Sequence, residues 1–417
     1  MGRSAEYTLL ITDPAGDQVI ADPIHVGDPR TGDPGWSEIR LGPRLNETGS
    51  GTFTCSARPA LLAAVNDPDN RVVVLRDHPD GGATTIEMAG PIERPKHPYQ
   101  AARDGTDGPG LLTVSFADDL ELLTDRLVYP DPAQPSTNQT TLTRYAITAQ
   151  NAEDAMRALV NLNAGPGALA ARQTPGLVLG ADNGILPGVT VSTSFTRDAV
   201  LSDALREVAR LAGVAAATAP RVPRFRIIQG TNQLEFLVTM PADLTDSVIF
   251  SRELGNIAEL EYEPEAPINT VAIVGDATAG TGRIVKERAN ADAHTAGWRR
   301  REVWVDARGA ANATELEQAG DAALEEGGPK TRYVLQAIET PSTRYGYDYV
   351  IGDLVGTEPY AGAFVPAVVF GADITVTPSR GEEVKPIIGV EGDQITDRKA
   401  AELRRIQRRL AALEGAL

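Results

Sequence analysis

The hydrophobic pattern changes character along the chain. Over the first 125 residues, short apolar runs alternate with polar positions at a period of two. The runs cover residues 6–13, 17–21, 36–41, 51–57, 71–76, 84–92 and 111–116. Clusters of Gly, Pro, Asp and Asn separate them, which predicts short strands in a sandwich or barrel. Two short helices are predicted in this region, over 59–65 and 118–126. Residues 130–141 are polar and proline-rich, have little to bury, and mark a boundary.

The period then shifts to that of a helix. Asn151 is placed to cap a helix carrying Ala155, Met156, Leu159 and Val160, which ends before Gly165-Pro166-Gly167. A second helix is expected from a Thr196 cap, with Val200, Leu201, Ala204, Leu205, Val208 and Leu211 on one side and Gly213 closing it. A hairpin over 224–238 follows. From residue 247 strand character returns, over 247–250, 257–262, 270–274, 302–305, 331–339, 349–357, 364–370 and 374–377. One helix, 313–326, interrupts it between Asn312 and Gly327-Gly328. The expected division is 1–130 β-barrel-like, 131–246 mixed α/β, 247–392 a second β-barrel-like unit, and 393–417 an amphipathic helix.

That last segment has a distinct pattern. Leu403, Ile406, Leu410, Leu413 and Leu417 follow an a/d seam of about two heptads. In that register Arg409 is a g position and Glu414 the following e position, a pairing that favours parallel strands. Leu at a with Ile at a d position leans toward trimers or tetramers. Two heptads are marginal alone, so the coil is expected to extend an oligomer built by the body of the protein.

Composition narrows the function. The chain has 417 residues, a formal charge of −18, one cysteine (Cys55) and four histidines (His25, His78, His97 and His294). A disulfide framework and a thiolate zinc site are excluded. A generic nucleic-acid binder would be basic. No segment reads as a signal peptide or as a bilayer span of about 20 apolar residues, so no stable membrane insertion is expected.

Candidate chemistry is thin. Asp292 and His294 lie in a polar stretch with no third ligand near in sequence. No metalloprotease, nucleophile-elbow or P-loop motif occurs, and Gly275–Gly282 lacks the lysine of a phosphate loop. Carboxylate pairs such as Asp118-Asp119, Glu325-Glu326 and Glu382-Glu383 are expected by chance among 57 acidic residues. Cys55 reads as a small buried hydrophobe. Trp298 with Arg299-Arg300-Arg301 forms a basic-aromatic cluster leading into a strand. No catalytic, cofactor or metal residue is assigned.

Several strings resemble the tail hub, or tail-associated minor tail proteins, of long-tailed siphophages. They are Gly90-Pro91-Ile92; the run from Val114 to Leu120; Arg126 to Pro132; Asn163 to Gly167 with Arg172 and Pro175 to Leu177; Phe250 to Asn256; Pro267 to Val271 with Gly275; and Tyr345 to Val355. That family is similar to the baseplate hub of contractile phages. The resemblance implies a β-rich α+β fold: two tail-tube-like β-barrel domains, an intervening mixed α/β domain and a C-terminal helix. It implies a structural virion protein, made in the host cytoplasm and placed at the tail tip, with no enzymatic activity and no cofactor. A homotrimer would join the sixfold tail tube to the threefold tip and form part of the DNA-ejection channel. Its implied partners are the distal tail protein ring, the tape-measure protein C-terminus, other tip or receptor-binding proteins, and phage DNA in transient, non-specific passage. Two alternatives are a tail-associated cell-wall hydrolase and the hub of a contractile injection particle.

Overall fold

A computed structural model describes residues 5–14, 16–20, 22–26, 35–77, 83–96, 111–218, 221–230, 233–275, 285–307, 313–328, 330–338, 340, 343–358 and 364–389. The first strands and helices are β1 (Glu6–Thr12), β2 (Trp36–Gly42), β3 (Ser50–Ser56), α1 (Pro59–Val65), β4 (Arg71–Asp77), β5 (Thr85–Lys96), β6 (Leu111–Ala117) and α2 (Glu121–Thr124). The middle of the chain forms β7 (Arg144–Asn151), α3 (Ala152–Asn163), β8 (Leu177–Leu179), β9 (Thr190–Thr196), α4 (Leu201–Ala215), β10 (Arg224–Gly230) and β11 (Gln233–Thr239). It continues with β12 (Asp243–Ser251), β13 (Ile257–Glu265), β14 (Val271–Gly275), β15 (Val285–Ala289), α5 (Ala291–Thr295), β16 (Glu302–Asp306), α6 (Ala313–Glu326), β17 (Lys330–Ala337), β18 (Leu354–Glu358), β19 (Val365–Thr377) and β20 (Gly381–Gly389).

The fold is β-rich with a helical middle, as the pattern predicts. The described strands close no barrel, however. The two β-rich regions share one ten-stranded sheet in the order β1-β4-β5-β6-β3-β2-β19-β18-β12, with β20 also on β19. The link between early and late chain is β2 on β19, with Leu41 opposite Ile374 and Ile39 opposite Val376. Alternation decides the buried side. β3 and β6 pair antiparallel, Phe53 opposite Val114 and Gly51 opposite Phe116. Phe53, Val114 and Phe116 are buried, and the polar residues between them are not. They share a core with Leu9, Ile11, Phe250, Val355 and Ile388, so residues from both ends of the sequence bury each other's apolar surface.

A second core forms where α3 packs on α4 and on the β10–β11 hairpin, through Met156, Leu159, Val160, Leu205, Val208, Phe225 and Phe236. The Asn151 cap forms as predicted, its side chain accepting the Glu153 N–H at 2.8 Å. A third, smaller core lies between α6 and the β15-β14-β16 sheet, through Ala272, Val274, Leu316 and Leu324.

Local differences from the sequence pattern have physical causes. The helix expected from a Thr196 cap starts four residues later, with Val200 at the cap position, because the chain first makes a turn, with the Ala199 N–H on the Thr196 carbonyl and the Leu201 N–H on the Arg126 carbonyl. Gly213 does not end that helix. It is buried inside it, where a Cβ would sit 2.8 Å from a Val222 methyl. The run 349–357 is not one strand. The Asp353 carboxylate accepts the Val350 N–H at 2.9 Å, and Gly352 takes a φ of +99°, folding 345–353 into turns before β18. The runs 364–370 and 374–377 form a single strand, β19, that absorbs a bulge between Val369 and Gly371. Of the run 17–21, the described residues 17–20 form only a bridge, Thr12 to Gln18.

Candidate functional site

The seam residues Leu403, Ile406, Arg409, Leu410, Leu413, Glu414 and Leu417 lie outside the described residues, as do His78, His97 and the glycine-rich stretch after Gly275. Cys55 is buried on β3, and burial pushes its thiol up to about 12, far from a reactive thiolate. His294 is exposed on α5, a single turn capped by Asn290. Among the described residues no group of three or more His, Cys, Asp or Glu side chains is placed to hold a metal ion. No described helix is long and apolar enough to cross a membrane.

The structure assigns the predicted carboxylate pairs to different tasks. Asp119 is enclosed with Arg71 on β4, at 1% and 2% side-chain exposure, in a fork with Nε at 2.9 Å and Nη2 at 2.5 Å. The remaining Arg71 Nη1 donates to Gln229 on β10 at 2.7 Å, which ties the large sheet to the hairpin of the second core. Asn46 joins the same junction. Its Nδ2 donates to the Pro223 carbonyl at 2.9 Å, and its Oδ1 accepts the Phe225 N–H at 2.9 Å. The neighbouring Asp118 accepts the Leu120 N–H at 2.9 Å. Burial pushes the Asp118 carboxyl up to about 7, with Asp119 adding to the shift. The Leu120 N–H and the guanidinium groups of Arg224 and Arg226 oppose it.

A second buried cluster joins the two ends of the chain. Arg76 on β4 donates to Glu382 on β20 at 3.0 Å and to the Tyr345 carbonyl at 3.1 Å. Tyr7 on β1 donates to Glu382 at 2.5 Å, and Tyr345 donates to Glu87 on β5 at 2.9 Å. Burial raises the Glu87 pKa, against the opposing pull of Arg76 and Tyr345. Burial also raises the Tyr7 and Tyr345 hydroxyls well above their usual range, with facing carboxylates adding to the effect. Sequence reading missed both clusters, because their members lie up to 375 positions apart. They are structural staples: Asp119 and Glu382 face a guanidinium, and Glu87 faces the Tyr345 hydroxyl.

The small three-stranded sheet carries exposed apolar side chains. The sheet β15-β14-β16 has its inner face against α6, with Lys286 paired to Glu317 and Arg288 to Asp321 across that contact. On the outer face Ile273 lies between Glu287 and Trp304, and Gly275 between Val285 and Asp306. Trp304 is 49% exposed and Val285 48%. The six-membered ring of Trp304 leans over Gly275, where a Cβ would come within 2.6 Å of it. Arg300 reaches across the same sheet to Glu287 at 2.8 Å and Glu302 at 2.6 Å. In the predicted basic-aromatic cluster Arg300 is thus neutralised and Trp298 is exposed, while Trp304, outside that cluster, is the aromatic on the sheet face.

The family described as Siphovirus ReqiPepy6 Gp37-like protein matches residues 31–390. Among solved structures, the tail protein from Neisseria meningitidis MC58 is 14% identical with a TM-score of 0.51, over 94% of this chain and 98% of that one. The 43 kDa tail protein of prophage MuSo2 from Shewanella oneidensis is 12% identical with a TM-score of 0.52, over 93% and 98%. Prophage tail protein gp18 from Listeria monocytogenes EGD-e is 10% identical with a TM-score of 0.53, over 96% and 99%. At these identities the likeness is one of fold. No curated protein matches the sequence.

Proposed function

The chain belongs to the siphovirus ReqiPepy6 Gp37-like family and has the fold of phage tail proteins, and from that premise we propose that it is the structural hub of a tail tip. In this reading three copies join the sixfold tail tube to the threefold tip and surround part of the path taken by ejected DNA. The neighbours are the distal tail ring, the C-terminus of the tape-measure protein and the receptor-binding proteins of the tip. The role is mechanical and not catalytic. The heptads over 403–417 extend the trimer as a parallel coil, and residues 393–417 form the helix that carries them. The acidic surplus of −18 per chain, tripled in the assembly, repels phosphate where it lines the path.

The observation that carries this reading is near-complete mutual coverage with phage tail proteins: 93–96% of this chain against 98–99% of theirs. Native mass spectrometry of the full-length chain tests the reading. A trimer is expected, weakened in a variant ending at Glu391. A wild-type chain that stays monomeric at about 100 μM, together with its absence from the tail tip in immunogold images of virions, would overturn it.

A further inference from the structure

Two half-buried arginines at the edge of the second core meet no acid. Arg172 ends the short turn Ala170–Arg172. Its guanidinium carbon lies 3.5 Å from the centre of the Tyr129 ring. Nη1 donates to Asn163 Oδ1 at 3.1 Å, and Nη2 donates to the Leu127 carbonyl at 2.5 Å. Asn163 is fully buried and is itself fixed. Its Nδ2 donates to the Leu159 carbonyl at 2.9 Å, and its Oδ1 also accepts the Tyr129 N–H at 2.9 Å. Neutral groups alone therefore orient Arg172. Arg126 stands one residue before Leu127, on the same segment. Its Nε is buried without a hydrogen-bond partner, and neither arginine forms an ion pair among the described residues. Burial lowers the Arg172 pKa and the Arg126 charge adds to the effect, while the opposing pull comes from Tyr129.

The acids nearest in sequence have other tasks. Asp125 adds to the burial that raises the Glu121 carboxyl, Asp131 accepts the Ala133 N–H at 3.2 Å, Asp198 takes the Thr196 hydroxyl, and Asp203 pairs with Arg206. Enclosed guanidiniums elsewhere do meet carboxylates, Arg71 at Asp119 and Arg76 at Glu382. A like-charge pair left bare in a chain of 57 acids and 39 bases costs folding energy and returns none within the chain. The start of α4 adds to the same field. Its Leu201 N–H sits on the Arg126 carbonyl, and Val200 at the cap position has no side-chain acceptor to offer its first turn. We propose that Arg126 and Arg172 form an oxyanion site, taking a phosphate or carboxylate group that supplies the missing counter-charge. A guanidinium stacked on an aromatic ring keeps its edge for acceptors in its own plane, and a two-oxygen anion matches that edge. The site lies on the second core and does not rest on the trimeric reading above.

The test titrates the full-length chain with sodium phosphate, sodium succinate or sodium chloride at equal ionic strength, and reads isothermal calorimetry and melting curves. Phosphate or succinate is expected to give saturable heat and a rising midpoint, and chloride neither. Arg126→Gln gives up no hydrogen bond within the chain and relieves the like-charge contact. It should melt no lower than the wild type in chloride, while its oxyanion affinity falls about tenfold or more, the scale of one charge-assisted hydrogen bond. Arg126→Lys keeps the charge and should recover part of that loss. Arg172→Gln also cuts two tethers of the fold, so the Arg126 variants decide the matter. Tighter binding of phosphate than succinate assigns the site to a phosphate-bearing ligand, and the reverse assigns it to an acidic side chain of a partner protein. A wild type whose response to all three salts follows ionic strength alone overturns the site, as does an Arg126→Gln chain that binds both oxyanions like the wild type.

Discussion

Arg71→Met should be among the most damaging single substitutions in the protein. The Arg71 guanidinium and the Asp119 carboxylate are enclosed at 2% and 1% exposure, and the fork between them is complete, with the third donor on Gln229. The variant removes the cation and leaves the carboxylate behind. Breaking a buried pair in this way costs about 3–5 kcal/mol. At about 2–4 °C per kcal/mol for a cooperative unit of this size, the melting midpoint should fall by roughly 6–20 °C. Burial already pushes the Asp119 carboxyl up, and Arg71 opposes that shift. Without Arg71 the residue can fold only as the neutral acid, so the loss should be larger at pH 8 than at pH 5. Arg71→Met/Asp119→Leu supplies the decisive comparison. It removes both charges and fills the space with apolar atoms, and it should recover most of the lost midpoint. Differential scanning fluorimetry at several pH values measures all three proteins. A loss below 1 kcal/mol for the single variant, or a double variant no better than the single one, would refute the view that the unpaired charge carries the cost.

The remaining predictions concern neighbouring parts of the same framework. Asp118 has a folded-state pKa raised to about 7 from an ordinary value near 4, so the native state holds a proton that the unfolded chain has released. Its contribution to stability therefore falls as pH rises from about 4 to 7. Asp118→Asn should show a higher melting midpoint than the wild type at pH 8 and no advantage at pH 4. Tyr345→Phe leaves Glu87 without its 2.9 Å donor inside the second buried cluster, and should cost about 1–3 kcal/mol in a denaturant titration. Gly90→Ala places a Cβ 1.9 Å from the Ala117 carbonyl oxygen, a backbone atom that cannot turn aside, and should sharply reduce soluble yield.

Much of the fold was legible because local pattern and burial agree. The alternation over 51–57 and 111–116 became paired strands with Phe53, Val114 and Phe116 inside, and the Asn151 cap formed at its predicted residue. Strands that were missed lack that agreement. β15 reads Val-Lys-Glu-Arg-Ala, with its polar residues engaged by α6 and Arg300, so no apolar alternation announces it. β20 begins Gly-Glu-Glu and buries its charge against Tyr7 and Arg76. The joining of the early and late strands into one sheet was equally invisible, since nothing local to Ile39 or Val376 says that they will face each other. The exposed sheet face was half legible. The cluster around Trp298 was noticed, while the exposed ring at Trp304 depends on Gly275, a residue that looked like the start of a loop.

These placements change what the acidic composition means. A chain of −18 invites the idea that its surplus faces the DNA path. Several of the 57 acids are engaged elsewhere, however. Asp119 holds Arg71, Glu382 holds Arg76 and Tyr7, Glu87 takes the Tyr345 hydroxyl, and buried Glu153 accepts the Asn183 and Ile185 N–H groups at 2.7 and 2.9 Å. Substituting these residues would disturb the fold and say nothing about DNA. A test of electrostatic repulsion in the proposed channel must therefore begin from exposed acids with no partner in the chain. Lysine at such positions should slow DNA ejection while leaving the melting midpoint unchanged. An ejection rate that ignores a lysine ring of this kind would remove charge from the account of how DNA passes, and leave the acids to solubility and folding alone.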